Sequence, residues 1–128
     1  MLRVLIADDS MIIRKKTADI LKNLGCKVVF DATNGKEAIS AYTKYRPDLV
    51  TMDIIMPNMD GIDALKHIIK NDKNAKVIMI TSSGQEDLVT KSIQEGAVGY
   101  ILKPITDEKL AQVINEVFKE QYKNMKVN

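Results

Sequence analysis

The amino-acid sequence predicts an open, doubly wound α/β domain: five parallel strands in the order 2-1-3-4-5, with helices on both faces. Three observations lead there. Short apolar runs alternate with longer amphipathic stretches five times along the chain. The runs are continuous rather than alternating and are rich in Val and Ile, the pattern of strands buried on both faces of a parallel sheet. The 128 residues suffice for one domain with a real core, but a closed eight-unit barrel needs roughly 250. Right-handed crossovers then put helices on both sides of the sheet. The strand order is the one common to known five-stranded sheets of this kind; periodicity alone leaves it open.

The elements follow in order. The first run, Val4–Ala7, precedes Ile13, Thr17, Ile20, Leu21 and Leu24 at helical spacing, with Gly25 as the stop. After Val28–Phe30, Asn34 and Glu37 have the spacing of a capping box ahead of Ala38, Ala41, Tyr42 and Tyr45, and Pro47 closes the helix. Leu49–Met52 leads into Met-Pro-Asn-Met-Asp-Gly, a loop by composition. A third helix starts near Asp60-Gly61 and carries Ile62, Leu65 and Ile69. After Val77–Ile80, a fourth helix is expected from Ser83, with Glu86 at capping-box distance and a thin stripe of Leu88, Val89 and Ile93. Tyr100–Leu102 precedes the cleanest period: Leu110, Val113, Ile114, Val117 and Phe118. The Lys-rich stretch 119–126 reads as a solvated helix end. One domain over residues 1–128, with no linker and no effector domain, is the expectation.

Composition narrows the function. Hydrophobic residues are 45% and charged residues 28%, ordinary for a folded globular chain and wrong for a disordered one. A net charge of +2 and 5% aromatics, with no Trp, argue against nucleic-acid binding. The longest apolar runs are too short to span a bilayer. The single Cys26 excludes an internal disulfide and a multi-Cys metal site, so a reducing cytoplasm is the default. Cys26 itself reads as a small packing residue, Tyr100 as half-buried packing and His67 as solvated.

The chemistry lies where the strands end, because ligands of open α/β sheets bind beyond the strands' carboxyl ends. There stand Asp8 and Asp9, then Asp53, then Thr81, Ser82 and Ser83, then Lys103 and Pro104, with Asp31 after the edge run. Three carboxylates against one ammonium leave excess negative charge, which calls for a cation. Mg²⁺ suits it, being a hard ion that takes oxygen ligands and bridges to phosphate. A neutralised carboxylate can attack phosphorus, while Thr81 and Lys103 contact phosphoryl oxygens. Taken singly, each residue has a plainer reading: Asp8-Asp9 as a helix cap, Asp53 as a turn residue, Thr81 as a strand-end hydroxyl, Lys103 as a surface lysine. Co-location at one sheet edge favours the functional reading.

These residues match a family. Val-Leu-Ile-Ala-Asp8-Asp9-Ser, Asp48-Leu-Val-Thr-Met-Asp53-Ile-Ile-Met-Pro57-Asn-Met-Asp60-Gly61, Ile80-Thr81-Ser82 and Gly-Tyr100-Ile-Leu-Lys103-Pro104 stand in order along the chain. The sequence resembles, end to end, the receiver domain of two-component response regulators, and within it most resembles stand-alone chemotaxis receivers of the CheY type. The resemblance implies the flavodoxin-like (βα)5 architecture. It implies Asp53 as phosphoryl acceptor and Mg²⁺ held by Asp9, Asp53 and the backbone carbonyl of Ile55, with Asp8 acting mainly through water. It implies Thr81 and Tyr100 as the switch pair, Lys103 as the phosphoryl-pairing lysine and a cis bond before Pro104. It further implies a sensor histidine kinase as donor and an output face on the fourth helix, fifth strand and fifth helix. That face would dock a downstream protein such as a flagellar motor switch. A phosphatase is a further implied partner. The expected state is a cytoplasmic monomer that can pair on activation. Beyond its own phosphorylation and dephosphorylation, no enzymatic activity is expected.

Three rivals are weaker. A haloacid-dehalogenase-type phosphatase needs an aspartate two residues after its nucleophile, where this chain has Ile55. A flavodoxin needs a phosphate-cradling loop where Asp8-Asp9 would repel phosphate. A phosphorylation-independent receiver-like interaction module would have no use for keeping Asp8, Asp9, Asp53, Thr81 and Lys103 together.

Overall fold

The computed structural model describes residues 1–119. β1 (Arg3–Ala7) takes β2 (Lys27–Ala32) on one side and β3 (Leu49–Asp53) on the other. β4 (Val77–Thr81) and β5 (Gly99–Leu102) extend the sheet beyond β3. All four pairings are parallel and the order is 2-1-3-4-5, as expected. The helices are α1 (Met11–Asn23), α2 (Gly35–Tyr45), α3 (Gly61–Asn71), α4 (Glu86–Gln94) and α5 (Asp107–Val117).

The continuous apolar strands supply two cores, one on each face. Leu5, Val50, Met52 and Met79 pack with Ala38, Ala41, Leu65 and Ile68 of α2 and α3. Val4, Ile6, Leu49, Ile78 and Ile101 pack with Ile20, Leu21, Leu110 and Ile114 of α1 and α5. Strand residues alternate between the two clusters, as a two-fold pleat requires. Each large side chain removed from water this way contributes about 1.5–3 kcal/mol. Both faces are therefore fixed by burial, and the strand ends are left free to carry polar groups.

The strands run further than their apolar residues. β3 ends on Asp53, paired with Ile80, and β4 ends on Thr81, paired with Leu102. In these two strands the ladder continues into the polar residue itself, whereas Asp8, Asp9 and Lys103 lie just past the ends of β1 and β5.

Two helix starts correct the sequence expectation. The Asn34 side chain does accept the Glu37 N–H (3.0 Å), but Glu37 turns back to the Thr33 N–H (2.7 Å) and hydroxyl (2.9 Å), one residue before the cap. α4 begins at Glu86 rather than Ser83. Gly84 stands at φ +88, outside the helical region. Gln85 occupies the N-cap position without a side-chain capping bond, because its carboxamide is engaged elsewhere. Ser10, Asp60 and Thr106 cap α1, α3 and α5 through their side chains.

Tyr100 is 52% exposed, close to the half-buried packing its sequence context predicts. It stands on β5, whose α4-side neighbours cover it thinly: in α4 only Ser92 is fully buried, and Ile93 is exposed. Cys26 is buried and His67 exposed, with its Nδ1 2.9 Å from the Asp63 carbonyl. The peptide before Pro104 is cis. Of the Lys-rich 119–126 stretch, all beyond residue 119 lies outside the described residues. Among the described residues, no helix is long and apolar enough to cross a membrane.

Candidate functional site

β1 and β3 are adjacent, so their carboxyl ends bring Asp8 and Asp53 side by side. Asp8 and Asp53 are both buried, while Asp9 is exposed at the rim. One carboxylate oxygen from each of the three lies within 4.8 Å of the others. Lys103, reaching in from the β5–α5 loop, places its Nζ 3.5 Å from Asp53 Oδ2 and 3.7 Å from Asp8 Oδ2. Asp31 is exposed on the edge strand and is not one of the clustered three.

Backbone and side-chain contacts hold this arrangement. The Asp8 carboxylate accepts the Ser10 N–H (2.9 Å), and its carbonyl accepts from Arg14 (2.8 Å). The Lys103 N–H donates to the Thr81 carbonyl (2.8 Å), tying the lysine's loop to the end of β4. Gly61, at the start of α3, donates its N–H to the Ile54 carbonyl (2.7 Å). A Cβ at Gly61 would strike the Asp53 carbonyl oxygen, so only glycine lets α3 approach the end of β3 so closely. Gly35 makes a similar approach to the Met59 carbonyl. Ile55 follows in the loop with its side chain about half exposed.

The site carries unbalanced negative charge. Burial, and then the neighbouring Asp8 carboxylate, push Asp53 up to about 6, although Lys103 pulls the other way. One lysine does not offset three carboxylates, two of them removed from water.

Thr81 is 2% exposed, and its hydroxyl donates to the Gln85 carboxamide oxygen at 2.8 Å. The same oxygen accepts the Ser82 N–H at 2.8 Å. Residues Thr81, Ser82, Gln85, Val89, Tyr100 and Leu102 line a cleft of about 320 Å³ between α4 and β5. Ser82 and Ser83 are themselves exposed. Sequence reasoning misses the parts played by Gln85, Gly61 and Arg14. An Asp-Gly pair opening a helix is the available signal for Gly61, whereas nothing local marks Gln85 or Arg14.

A buried carboxylate pair, a rim carboxylate and one ammonium thus meet at the carboxyl ends of the central strands, with the buried Thr81 hydroxyl at the end of β4. A family model for the response regulator receiver domain matches residues 4–115. The chain belongs to that family. It is 44% identical over 117 residues to the chemotaxis protein CheY of Thermotoga maritima, covering 91% of this chain and 98% of that protein. Against CheY of Bacillus subtilis the identity is 45% over 114 residues, covering 89% and 95%. A solved CheX-CheY-BeF3-Mg²⁺ complex from Borrelia burgdorferi superposes with a TM-score of 0.87 at 40% identity, covering 91% of this chain and 89% of that one. This protein is a receiver domain homologous to the CheY chemotaxis response regulators.

Proposed function

We propose that Asp53 is the phosphoryl acceptor of this receiver and that its phosphorylation resets the α4–β5–α5 face. The observation that carries this is the juxtaposition of Asp53 with Asp8, Asp9 and Lys103 at one strand edge. A sensor histidine kinase donates the group: an Asp53 oxygen attacks phosphorus, the phosphorus–nitrogen bond of the donor breaks, and the freed imidazole takes a proton from water. Lys103 pairs with a phosphoryl oxygen as a point charge. Thr81 donates its hydroxyl to another. Hydrolysis of the acyl phosphate by water returns the carboxylate, and a partner phosphatase shortens its lifetime.

The donor set fits Mg²⁺: three carboxylates within reach of one another, one of them held well above the ordinary carboxylate range by burial and its neighbour. Asp9, Asp53 and the Ile55 carbonyl would hold the ion, with Asp8 acting mainly through water. Bound there, the ion supplies the positive charge that lets an anionic acceptor and an anionic phosphoryl group share the pocket. Asp9→Ala is expected to lower Mg²⁺ affinity by about 10-fold or more. A metal titration of the purified chain checks this, and an unchanged affinity removes Asp9 from the ligand set.

The output side rests on exposed apolar residues. Ile93, Val98, Tyr100 and Leu102 are all exposed. α4 contributes little buried surface, so its position is cheaply biased. Tyr100 moves with Thr81, and the altered face docks a separate downstream protein in the cytoplasm, with the flagellar motor switch as the target in chemotaxis. Residues 1–128 act as one receiver domain in this reading. It is a monomer that can pair through the same face on activation.

Incubation with a small phosphodonor and Mg²⁺, followed by intact mass, tests the central step. The expected product carries one added phosphoryl group. An unmodified mass after prolonged incubation points instead to a receiver-like module that works without phosphorylation.

A further inference from the structure

The buried Thr81 hydroxyl is committed to a partner that the phosphoryl chemistry does not require. A hydroxyl carries one proton, and this one has its short contact with the Gln85 carboxamide oxygen at 2.8 Å, the Ser82 carbonyl lying further off at 3.3 Å. The Gln85 oxygen is also the acceptor for the Ser82 N–H. Gln85 pays for this at its own helix, where it stands at the N-cap of α4 and caps nothing with its side chain. One carboxamide therefore joins the end of β4, the first residue of the loop and the start of α4. It also lines the cleft that Tyr100 borders.

We propose that Gln85 is a latch on Thr81. Its carboxamide oxygen holds the Thr81 hydroxyl in the unphosphorylated protein and must release it before that hydroxyl can turn to a phosphoryl group on Asp53. This rests on the assignment of Asp53 and Thr81 made above. The physical reason is competition for a single proton. Thr81 is almost wholly buried and needs an acceptor in either state. Before phosphorylation the nearer acceptor is Gln85, with the Ser82 carbonyl as the longer alternative; afterwards it is the phosphoryl oxygen. Release leaves the Gln85 oxygen with only the Ser82 N–H, freeing the carboxamide, and with it the α4 start and the wall of the Tyr100 cleft, to rearrange. Gln85 is thus a positioning residue: it touches no reacting atom and sets how readily Thr81 becomes available. Only the part of the Gln85 bonding that differs between the two states can shift the balance.

The test uses the full chain in four forms: wild type, Gln85→Ala, Thr81→Val and the double variant. BeF₃⁻ is titrated in the presence of Mg²⁺ and followed by NMR. Loss of one hydrogen bond that favours the resting state corresponds to a gain of roughly 3- to 10-fold in BeF₃⁻ affinity for Gln85→Ala. In the Thr81→Val background the same substitution is expected to change affinity less than about 2-fold, since the shared proton is gone. A second readout needs neither metal nor BeF₃⁻. The Ser82 amide of the metal-free protein should exchange with solvent faster in Gln85→Ala, while Gln85→Glu, which keeps an acceptor oxygen, should retain its protection. Unchanged or weaker BeF₃⁻ binding in Gln85→Ala overturns the latch, as does an equal gain with and without the Thr81 hydroxyl. If the wild type itself binds no BeF₃⁻, the phosphoryl-site assignment fails and the latch with it. If the wild type binds and Gln85→Ala matches it, the latch alone fails.

Discussion

Asp53→Asn is expected to abolish phosphoryl transfer to the chain and, at the same time, to make the metal-free protein more stable at pH 7. The first effect follows from chemistry: an amide oxygen is no match for a carboxylate as a nucleophile. The second follows from burial. Asp53 is only 7% exposed, and burial followed by Asp8 raises it to about 6 from an ordinary value of 3.8. The folded protein therefore holds this proton more tightly than the unfolded chain does. Below the unfolded value both states are protonated and the neutral acid costs nothing in charge. As pH rises through the interval between the two values the unfolded chain ionises first, so stability falls. Above about 6 the loss is complete, at about 3 kcal/mol for a shift of this size. Asparagine has nearly the same shape and no charge to desolvate. Its substitution leaves Lys103 the Asp8 carboxylate as a partner, so the net gain is expected at about 1–3 kcal/mol. Urea unfolding in chelator at pH 4 and pH 7 checks the sign. The wild type should lose stability between the two relative to Asp53→Asn, and parallel behaviour of the two proteins would refute the buried-charge account. The mass experiment on the same variant checks the chemistry, and a phosphoryl adduct on Asp53→Asn would move the acceptor elsewhere.

Gly61→Ala should be the most disruptive single methyl in the chain. The added carbon would collide with the Asp53 carbonyl oxygen and stand 2.9 Å from its carbonyl carbon and 3.0 Å from the Ile54 Cα. All three are backbone atoms in a buried strand end, so no rotamer relieves the clash. α3 must back away, breaking the 2.7 Å bond from the Gly61 N–H to Ile54. Overpacking of this kind costs about 1–3 kcal/mol, occasionally more, and the lost bond adds about 1. A total of about 3 kcal/mol is expected in denaturant unfolding, together with slower phosphorylation, because the segment that must shift carries Asp53 itself. Gly25→Ala is the control. Gly25 sits at φ +84 with open space around its Cβ position, so it bears only the left-handed backbone penalty of about 1–2 kcal/mol. Equal costs at the two positions would mean that the close approach at Gly61 carries no strain.

The fold was legible because it depends on patterns that survive without neighbours. Five Val- and Ile-rich runs, each followed by a helical period, leave few packings once crossovers must be right-handed. Asp8, Asp9, Asp53, Thr81 and Lys103 were legible for the same reason, since each follows an apolar run and a parallel sheet aligns such ends. The errors fall where a side chain chose between two partners. Asn34 and Glu37 have capping-box spacing, yet Glu37 prefers Thr33. Ser83 and Glu86 have it too, yet α4 starts three residues later because Gly84 turns the chain and Gln85 faces Thr81.

What the order of residues determined by itself is the layered architecture and the edge at which chemistry collects. Periodicity and burial are one-dimensional signals, and both are written into consecutive residues. What only the folded molecule decided is which groups meet: Lys103 within reach of two carboxylates, Gly61 pressed against the backbone of Asp53, and one carboxamide oxygen shared by Thr81 and Ser82. The first two join residues from different elements, and the third links residues only three and four apart through a turn; burial together with the carboxylate and ammonium distances sets the acidity of Asp53.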